Sequence, residues 1–209
     1  EQRRSFRGWD RRELLDGDRA LSLLLENDRM QNYLWDKLWR RSLFDGIAFP
    51  EGRTFEDVSV MHRLFLRADQ VLCLPEAKYY YFQRPGSIVG STSLKNRINY
   101  YLASRSRLDE LGAERPELYD LLEAQCVATA VPIWSAWYSN SRSVRAQFYN
   151  WACEIAAFCR QHVRAALKTL HFGFTGRSIL RLTPYAKWWA FALSAVFSRV
   201  YQIRHGRPL

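Results

Sequence analysis

Apolar residues recur every three or four positions along much of this chain, which is the spacing of amphipathic helices. Capping residues, glycines and prolines divide that pattern into separate segments. Helices are predicted over about 18–26, 32–41, 56–68, 94–111, 116–135 and 143–172, and a further helix at Pro184. Short apolar segments at 70–74 and 78–83, joined by Pro75-Glu76, predict two strands. The pattern therefore predicts a helix-rich α/β chain with a short pair of strands.

The first 34 residues read as a polar arm followed by one helix. Within them, Asp16-Gly17-Asp18 has the form D-x-D that can hold a metal ion, but an amphipathic helix follows it directly. Since no apolar β-branched strand is recognisable before these residues, we interpret their carboxylates as acceptors for the first N–H groups of the helix. A metal-binding role for Asp16 and Asp18 is the alternative.

Residues 35–87 carry a series of short motifs in a fixed order. They are D-K-L-W-R-R at 36–41, F-P-E-G at 49–52, E-D at 56–57, Y-Y-Y at 79–81 and R-P-G-S at 84–87. In this order and spacing, the segment resembles the second half of the catalytic domain of family 2 bacterial glycosyltransferases, which have the GT-A fold. A departure is Asp36, where the family commonly has Asn.

The resemblance implies that residues 1–112 are the acceptor-side part of a GT-A domain and that 113–209 form a helical, basic extension. It implies transfer of a sugar, with inversion, from a nucleotide-sugar donor to a glycan or lipid-linked acceptor in bacterial surface polysaccharide synthesis. Neither the donor sugar nor the acceptor is identified by these motifs. The donor half, whose D-x-D motif would hold Mn²⁺ or Mg²⁺, is not recognisable here. We therefore expect a fragment of a longer transferase that is inactive by itself.

The resemblance assigns the chemistry to the acid pair Glu56 and Asp57, with Asp57 as the base that takes the proton of the acceptor hydroxyl. Glu56 would hold an acceptor hydroxyl or position Asp57. Lys37, Arg84 and Ser87 are expected to bind substrate, and the Arg84 guanidinium suits a diphosphate. Structural alternatives stay open: first-turn acids stabilise a helix dipole, Lys37 can form a structural ion pair, and Arg84 can lie in an ordinary turn.

Metal ligands and disulfides are not indicated by the cysteine spacing. Cys73, Cys126, Cys153 and Cys159 include no C-x-x-C pair and do not cluster with the four histidines along the sequence. A zinc site is therefore not expected, and no residue is assigned to a metal. We expect the cysteines to be buried free thiols in a reducing compartment.

The net charge of +10 is concentrated towards the end of the chain. Residues 1–139 hold 20 basic and 20 acidic side chains, whereas residues 140–209 hold 11 basic and 1 acidic. Arg160, Arg164 and Lys168 lie on one face of the predicted helix 143–172. That stripe is either a solvated helix surface or a contact for anionic headgroups.

Residues 177–207 combine basic residues with Trp188-Trp189 around eleven uncharged positions. Eleven positions are too few for a membrane span but suit a helix in the membrane interface, and a core helix is the alternative. We therefore expect a cytoplasmic protein in peripheral contact with the inner face of the bacterial cell membrane. A non-catalytic membrane-docking or interaction module is the alternative function. Nucleic acid is not an expected partner, because no nucleic-acid-binding motif is recognisable.

Overall fold

The computed structural model describes residues 8–27, 29–82 and 93–169, apart from the side chains of 131, 135, 138 and 139. Contacts divide the chain into two compact units, unit 1 (Glu1–Arg84) and unit 2 (Pro85–Leu209). Unit 1 contains β1 (Glu13–Asp16), α1 (Gly17–Glu26), a short 3₁₀ helix (Arg41–Phe44), α2 (Glu56–Leu66) and β2 (Gln70–Cys73). Unit 2 contains α3 (Leu94–Glu114), a 3₁₀ turn (Pro116–Leu118), α4 (Tyr119–Ser139), α5 (Arg142–Gln147) and α6 (Tyr149–Thr169).

Unit 1 is held together by α1 packing on α2, with a two-stranded antiparallel sheet beside them. β1 pairs with β2 in a register that places Glu13 opposite Cys73 and Asp16 opposite Gln70. The apolar faces of both helices supply the core of the unit, whose members are fully buried: Leu21, Leu24, Leu25, Met61, Leu64 and Phe65. Burial of these side chains is the main stabilising contribution to the unit.

The junction between β1 and α1 lies close against the end of α2. The Asp16 carboxylate caps α1 by accepting the Arg19 N–H at 2.7 Å. The next residue, Gly17, donates its N–H to the Asp69 carbonyl at 3.1 Å. A Cβ at position 17 would lie 2.2 Å from the Ala68 carbonyl oxygen, so only glycine fits here.

Unit 2 is helical in its described part, and α4 packs against both α3 and α6. Ser93 and Ser141 cap α3 and α5 by accepting the N–H groups of Asn96 and Val144. Pro116 begins a turn that leads into α4, where its missing N–H costs nothing. Pro132 lies inside α4. The helical spacing of the sequence thus correctly predicted α3 and α4.

Four predictions about the elements of unit 1 and unit 2 differ from the structure. Residues 32–40 form no regular helix, and residues 78–82 form no strand. The first part of the chain contains a short strand, β1, so the interpretation of the first 34 residues as a polar arm followed by one helix was wrong. The predicted helix 143–172 is divided at Phe148, whose ψ of 14° interrupts the helix between α5 and α6.

Two smaller expectations in unit 2 were also wrong. Gly112 does not end α3, because the helix continues to Glu114 and the Tyr119 ring packs over the glycine. Cys153 is exposed on α6, whereas the other three cysteines are buried, and all four are free thiols. The functional boundary at residue 112 lies inside α3 and stays a prediction. None of the helices in the described ranges has the length and apolar character needed to cross a bilayer.

Candidate functional site

The acid pair of the sequence motif lies at the start of α2, as predicted. Glu56 is the first helical residue and is exposed, while Asp57 is half-buried in the same turn. The residue before them, Phe55, has a left-handed backbone with φ 65°, which is uncommon for a bulky side chain. Phe55 cannot cap the helix through its side chain, so the two carboxylates supply the negative charge that this helix end favours.

The Asp57 carboxylate is placed against the backbone of its own helix. Its Oδ1 accepts the Val58 N–H at 2.7 Å. An N–H donor of this kind stabilises the ionised form of a carboxyl group. An ionised carboxylate is the form that a general base requires.

Lys37 belongs to a separate segment of unit 1, and its charge interacts with that of Asp57. Its ammonium donates to the Gln31 and Tyr33 carbonyls at 2.7 and 2.8 Å and to Asp36 Oδ1 at 2.6 Å. Burial lowers the pKa of Lys37, and the charges of Asp36 and Asp57 oppose that shift. The structure therefore brings Lys37 into the electrostatic neighbourhood of Asp57, although they are 20 positions apart in the sequence.

The three hydrogen bonds of Lys37 favour its structural alternative. An ammonium has three N–H donors, and here each has a protein acceptor within the segment 31–36. A substrate phosphate would have to displace one of them. Binding of substrate by Lys37 stays a prediction, and Arg84 and Ser87 lie outside the described residues.

Cys73, at the end of β2, borders the same region. Burial raises its pKa to about 11, with a further contribution from Glu13, while Arg29 and Lys37 act in the opposite direction. The thiol is therefore neutral near pH 7 and unsuited to act as a nucleophile, which requires the thiolate. Its role in the described structure is that of a buried side chain of the sheet.

A cluster of stacked aromatic rings, which the sequence motifs did not predict, lies beside Lys37. Trp35 stacks with Tyr33 at 4.8 Å and with Tyr81 at 4.7 Å between ring centroids, with interplanar angles of 16° and 4°. Tyr79 is also 4.7 Å from Trp35. The motif Y-Y-Y and Trp35 were both visible in the sequence, but nothing in their spacing showed that the rings meet. We call Tyr33, Trp35, Tyr79 and Tyr81 the aromatic platform.

A second set of contacts fixes the segment between Lys37 and α2. Trp39 meets Phe44 and Phe65 edge to face, and its indole N–H donates to the Leu34 carbonyl at 3.3 Å. Arg67, just after α2, donates to the carbonyls of Leu43 and Asp45. These contacts attach the irregular segment 34–45 to the C-terminal end of α2, the end opposite the acid pair.

The residues described here do not fit a divalent-metal site. No group of three or more His, Cys, Asp or Glu side chains converges within residues 8–27, 29–82 and 93–169. Asp16, the first acid of D-x-D, uses its carboxylate to cap α1. We therefore derive no reaction step through a metal ion from these residues.

Comparison with known proteins supports the class of glycosyltransferases. A stretch of 53 residues is 38% identical to glycosyltransferase GlyG of Streptococcus pneumoniae serotype 4 (strain ATCC BAA-334 / TIGR4). The match covers 25% of this chain and 18% of that protein, so the chain spans less than a fifth of that relative's length. No protein-family model matches the chain, and no solved structure matches it. The partial similarity supports a glycosyltransferase role in general, and the helix-rich architecture with its two-stranded sheet is compatible with an α/β class.

Proposed function

We propose that this chain is the acceptor-side portion of a family 2 glycosyltransferase with the GT-A fold. In this proposal the longer enzyme transfers a sugar, with inversion, from a nucleotide-sugar donor to a glycan or lipid-linked acceptor of bacterial surface polysaccharide. The similarity to a glycosyltransferase over 53 residues supports the class. The observation that carries the site is the placement of Asp57 at the start of α2, within the electrostatic reach of Lys37.

Asp57 is proposed to accept the proton of the attacking acceptor hydroxyl as the new glycosidic bond forms. The half-buried carboxylate combines partial access with an N–H donor that favours its charged form. Glu56, which is exposed one position earlier, would hold an acceptor hydroxyl or position Asp57. Mn²⁺ or Mg²⁺ belongs in this proposal to the donor half, since the described residues offer no set of ligands.

Substitution of Asp57 tests the assignment in the longer enzyme. Release of nucleoside diphosphate from a panel of nucleotide sugars would be measured in the presence of cell envelopes from the source organism. We expect Asp57→Asn to reduce transfer by about 10²–10⁴-fold, the usual contribution of a general base, while donor binding is retained. Asp45→Asn, a change at an exposed acid of the same unit, is the matched control. Undiminished turnover in Asp57→Asn would refute the assignment.

A second function is favoured by the exposed basic stripe on α6. Arg160, Arg164 and Lys168 all point outward from the part of α6 whose opposite face is buried. We propose that this stripe, with residues 177–207, allows peripheral contact with anionic lipid at the inner face of the cell membrane. Residues 177–207 lie outside the described residues.

Vesicle sedimentation tests the membrane contact separately from catalysis. The chain should bind vesicles containing phosphatidylglycerol more strongly than vesicles of phosphatidylcholine alone. Replacing Arg160, Arg164 and Lys168 together with glutamine should weaken that binding, since each basic residue near an anionic surface contributes about 1 kcal/mol. Lys95→Gln, at an exposed position on α3, is the control. Equal binding by all variants would exclude the stripe.

A further inference from the structure

We propose that the aromatic platform (Tyr33, Trp35, Tyr79 and Tyr81) binds the apolar face of a pyranose ring of the acceptor glycan. This inference rests on the proposed function, which it deepens by naming the chemical group of the acceptor and the surface that holds it. Three tyrosine rings meet around Trp35, each with its centroid 4.7–4.8 Å from that of the tryptophan ring.

The platform lies partly at the surface and is not part of the core of unit 1, and its members Tyr33 and Trp35 are half-buried. Tyr79 is 55% exposed and Tyr81 is 36% exposed, although both rings lie against Trp35. Core aromatic residues of the same unit behave differently: Phe65 is 2% exposed. Exposed apolar surface assembled from several segments of a chain is typical of binding sites, and rings of this kind line most small-molecule sites.

The chemistry of a tyrosine-rich surface matches that of a sugar ring. A pyranose presents C–H groups on one face, which carry a small positive charge, and hydroxyl groups around its edge. The face of an aromatic ring is the negative part of its quadrupole, so it attracts those C–H groups. The tyrosine hydroxyls can both donate and accept hydrogen bonds, as the sugar hydroxyls can. A nucleobase can stack on the same rings, so it is the competing ligand that the test must include.

The platform is also linked to the segment that holds Lys37. Tyr33 accepts a hydrogen bond from the Lys37 ammonium at 2.8 Å through its carbonyl, and Asp36 accepts another at 2.6 Å. The same ammonium lies within the electrostatic reach of Asp57. A pyranose on the platform would therefore lie beside the segment of Lys37, whose charge interacts with that of the proposed base.

Saturation-transfer NMR on the 209-residue chain tests this inference without requiring catalysis. The probes are methyl β-D-glucopyranoside, methyl β-D-galactopyranoside and methyl α-D-mannopyranoside, with uridine as the nucleobase probe. We expect at least one pyranoside to receive saturation mainly on the C–H protons of a single ring face. Tyr79→Ala should weaken that binding by about three- to tenfold, the contribution of one stacked ring.

Tyr80→Ala is the matched control for Tyr79→Ala. Tyr80 is a neighbouring tyrosine, 69% exposed, with no ring contact to the described part of the chain. Equal weakening by both variants would overturn the proposal, and so would the absence of pyranoside binding or a preference for uridine. Failure here with transfer still dependent on Asp57 would leave the proposed function standing. Binding that depends on Tyr79, together with a longer enzyme that transfers no sugar, would support the platform and refute only the proposed function.

Discussion

Replacing Lys37 with methionine should destabilise unit 1, because it removes an ammonium that organises an irregular segment. Methionine keeps an unbranched side chain of similar length, so packing of the stem is largely retained. The ammonium of the native residue donates to the carbonyl oxygens of Gln31 and Tyr33 at 2.7 and 2.8 Å. Both carbonyls belong to a segment without regular helix or strand. The regular backbone hydrogen bonds of a helix or sheet therefore do not hold this segment, and the ammonium helps to do so.

The size of the effect follows from the exposure of the groups. A buried acceptor without its hydrogen bond costs about 1–3 kcal/mol, and the lower end applies here because the Lys37 side chain is 16% exposed. The ion pair with Asp36, whose side chain is 32% exposed, contributes little to the stability of unit 1. Its loss is offset because the methionine removes the free-energy cost of burying an ammonium. Two carbonyls therefore give a net loss of about 2 kcal/mol, or about a 30-fold rise in the unfolded population of unit 1.

Hydrogen exchange measured by mass spectrometry is the suitable assay, because the slowest amides of α1 and α2 report unfolding of unit 1. In Lys37→Met these amides should exchange about 30-fold faster at neutral pH. Lys78→Met, which removes an exposed lysine from the same unit, should leave them unchanged. Exchange in Lys37→Met within about fivefold of the native rate, roughly half the predicted free-energy change, would refute the structural role of the ammonium.

Three further changes test the packing of both units by urea titration. Gly17→Ala should lower the free energy of unfolding by about 2 kcal/mol or more, because the new Cβ would lie 2.2 Å from the Ala68 carbonyl oxygen. His162→Ala should cost about 2 kcal/mol, because the buried Glu123 carboxylate loses the imidazole Nδ1 now 2.6 Å away. Burial raises the pKa of Cys126 from 9.0 to about 12. As the pH rises, the thiol of the unfolded chain therefore loses its proton before the thiol of the folded chain does. The free energy of unfolding should then fall between pH 9.0 and about 12, and this fall should be less steep in Cys126→Ala.

Each of these changes has a control that separates its cause from a general effect of substitution. Gly46→Ala meets open space and pays only for a φ of +72°, so about 1 kcal/mol is expected. Asp109→Asn breaks an exposed i,i+4 pair with Arg105 and should cost less than about 0.5 kcal/mol. Cys153→Ala changes an exposed thiol and should keep the fall in stability that burial of Cys126 causes between pH 9.0 and about 12. Losses in these controls as large as in the test variants would contradict the reasoning.

Local signals in the sequence were sufficient for the helices that begin with a capping residue or a proline. Asp16 caps α1 as expected, Glu56 begins α2, and Pro116 leads into α4. Each of these helix boundaries depends on interactions within one turn of the helix, so the neighbouring residues are sufficient to predict where the helix begins. The strand at Gln70–Cys73 was also correctly predicted from its apolar pattern.

Elements that depend on distant partners could not be predicted in this way. The spacing of Leu34, Trp35 and Leu38 fits a helix, but Trp35 instead stacks on Tyr79 and Tyr81. Leu38 is left fully exposed. β1 has only four residues, and its partner strand begins 54 positions after β1 ends, so local pattern gives no sign of the pairing. Tertiary contacts overrode helical spacing in both places.

The same distinction between local and distant contacts applies to the candidate site. The position of the acid pair at a helix start followed from the sequence, because it is a local property of α2. The stacking of the aromatic platform and the approach of Lys37 to Asp57 did not, because they join segments 20 or more positions apart. Binding surfaces assembled from several segments therefore need the fold before they can be recognised.

The two interpretations of Asp57 differ enough in magnitude to be separated by one substitution. An asparagine at position 57 keeps a side-chain oxygen that can accept the Val58 N–H, now 2.7 Å from Oδ1, and loses only the charge. If Asp57 serves the helix dipole alone, Asp57→Asn costs about 0.3–1 kcal/mol of stability, and the folded enzyme stays active. If Asp57 is the base, the same change leaves a folded enzyme that has lost about 10²–10⁴-fold in rate. Stability and turnover measured on the same variant therefore decide between the structural and the catalytic role.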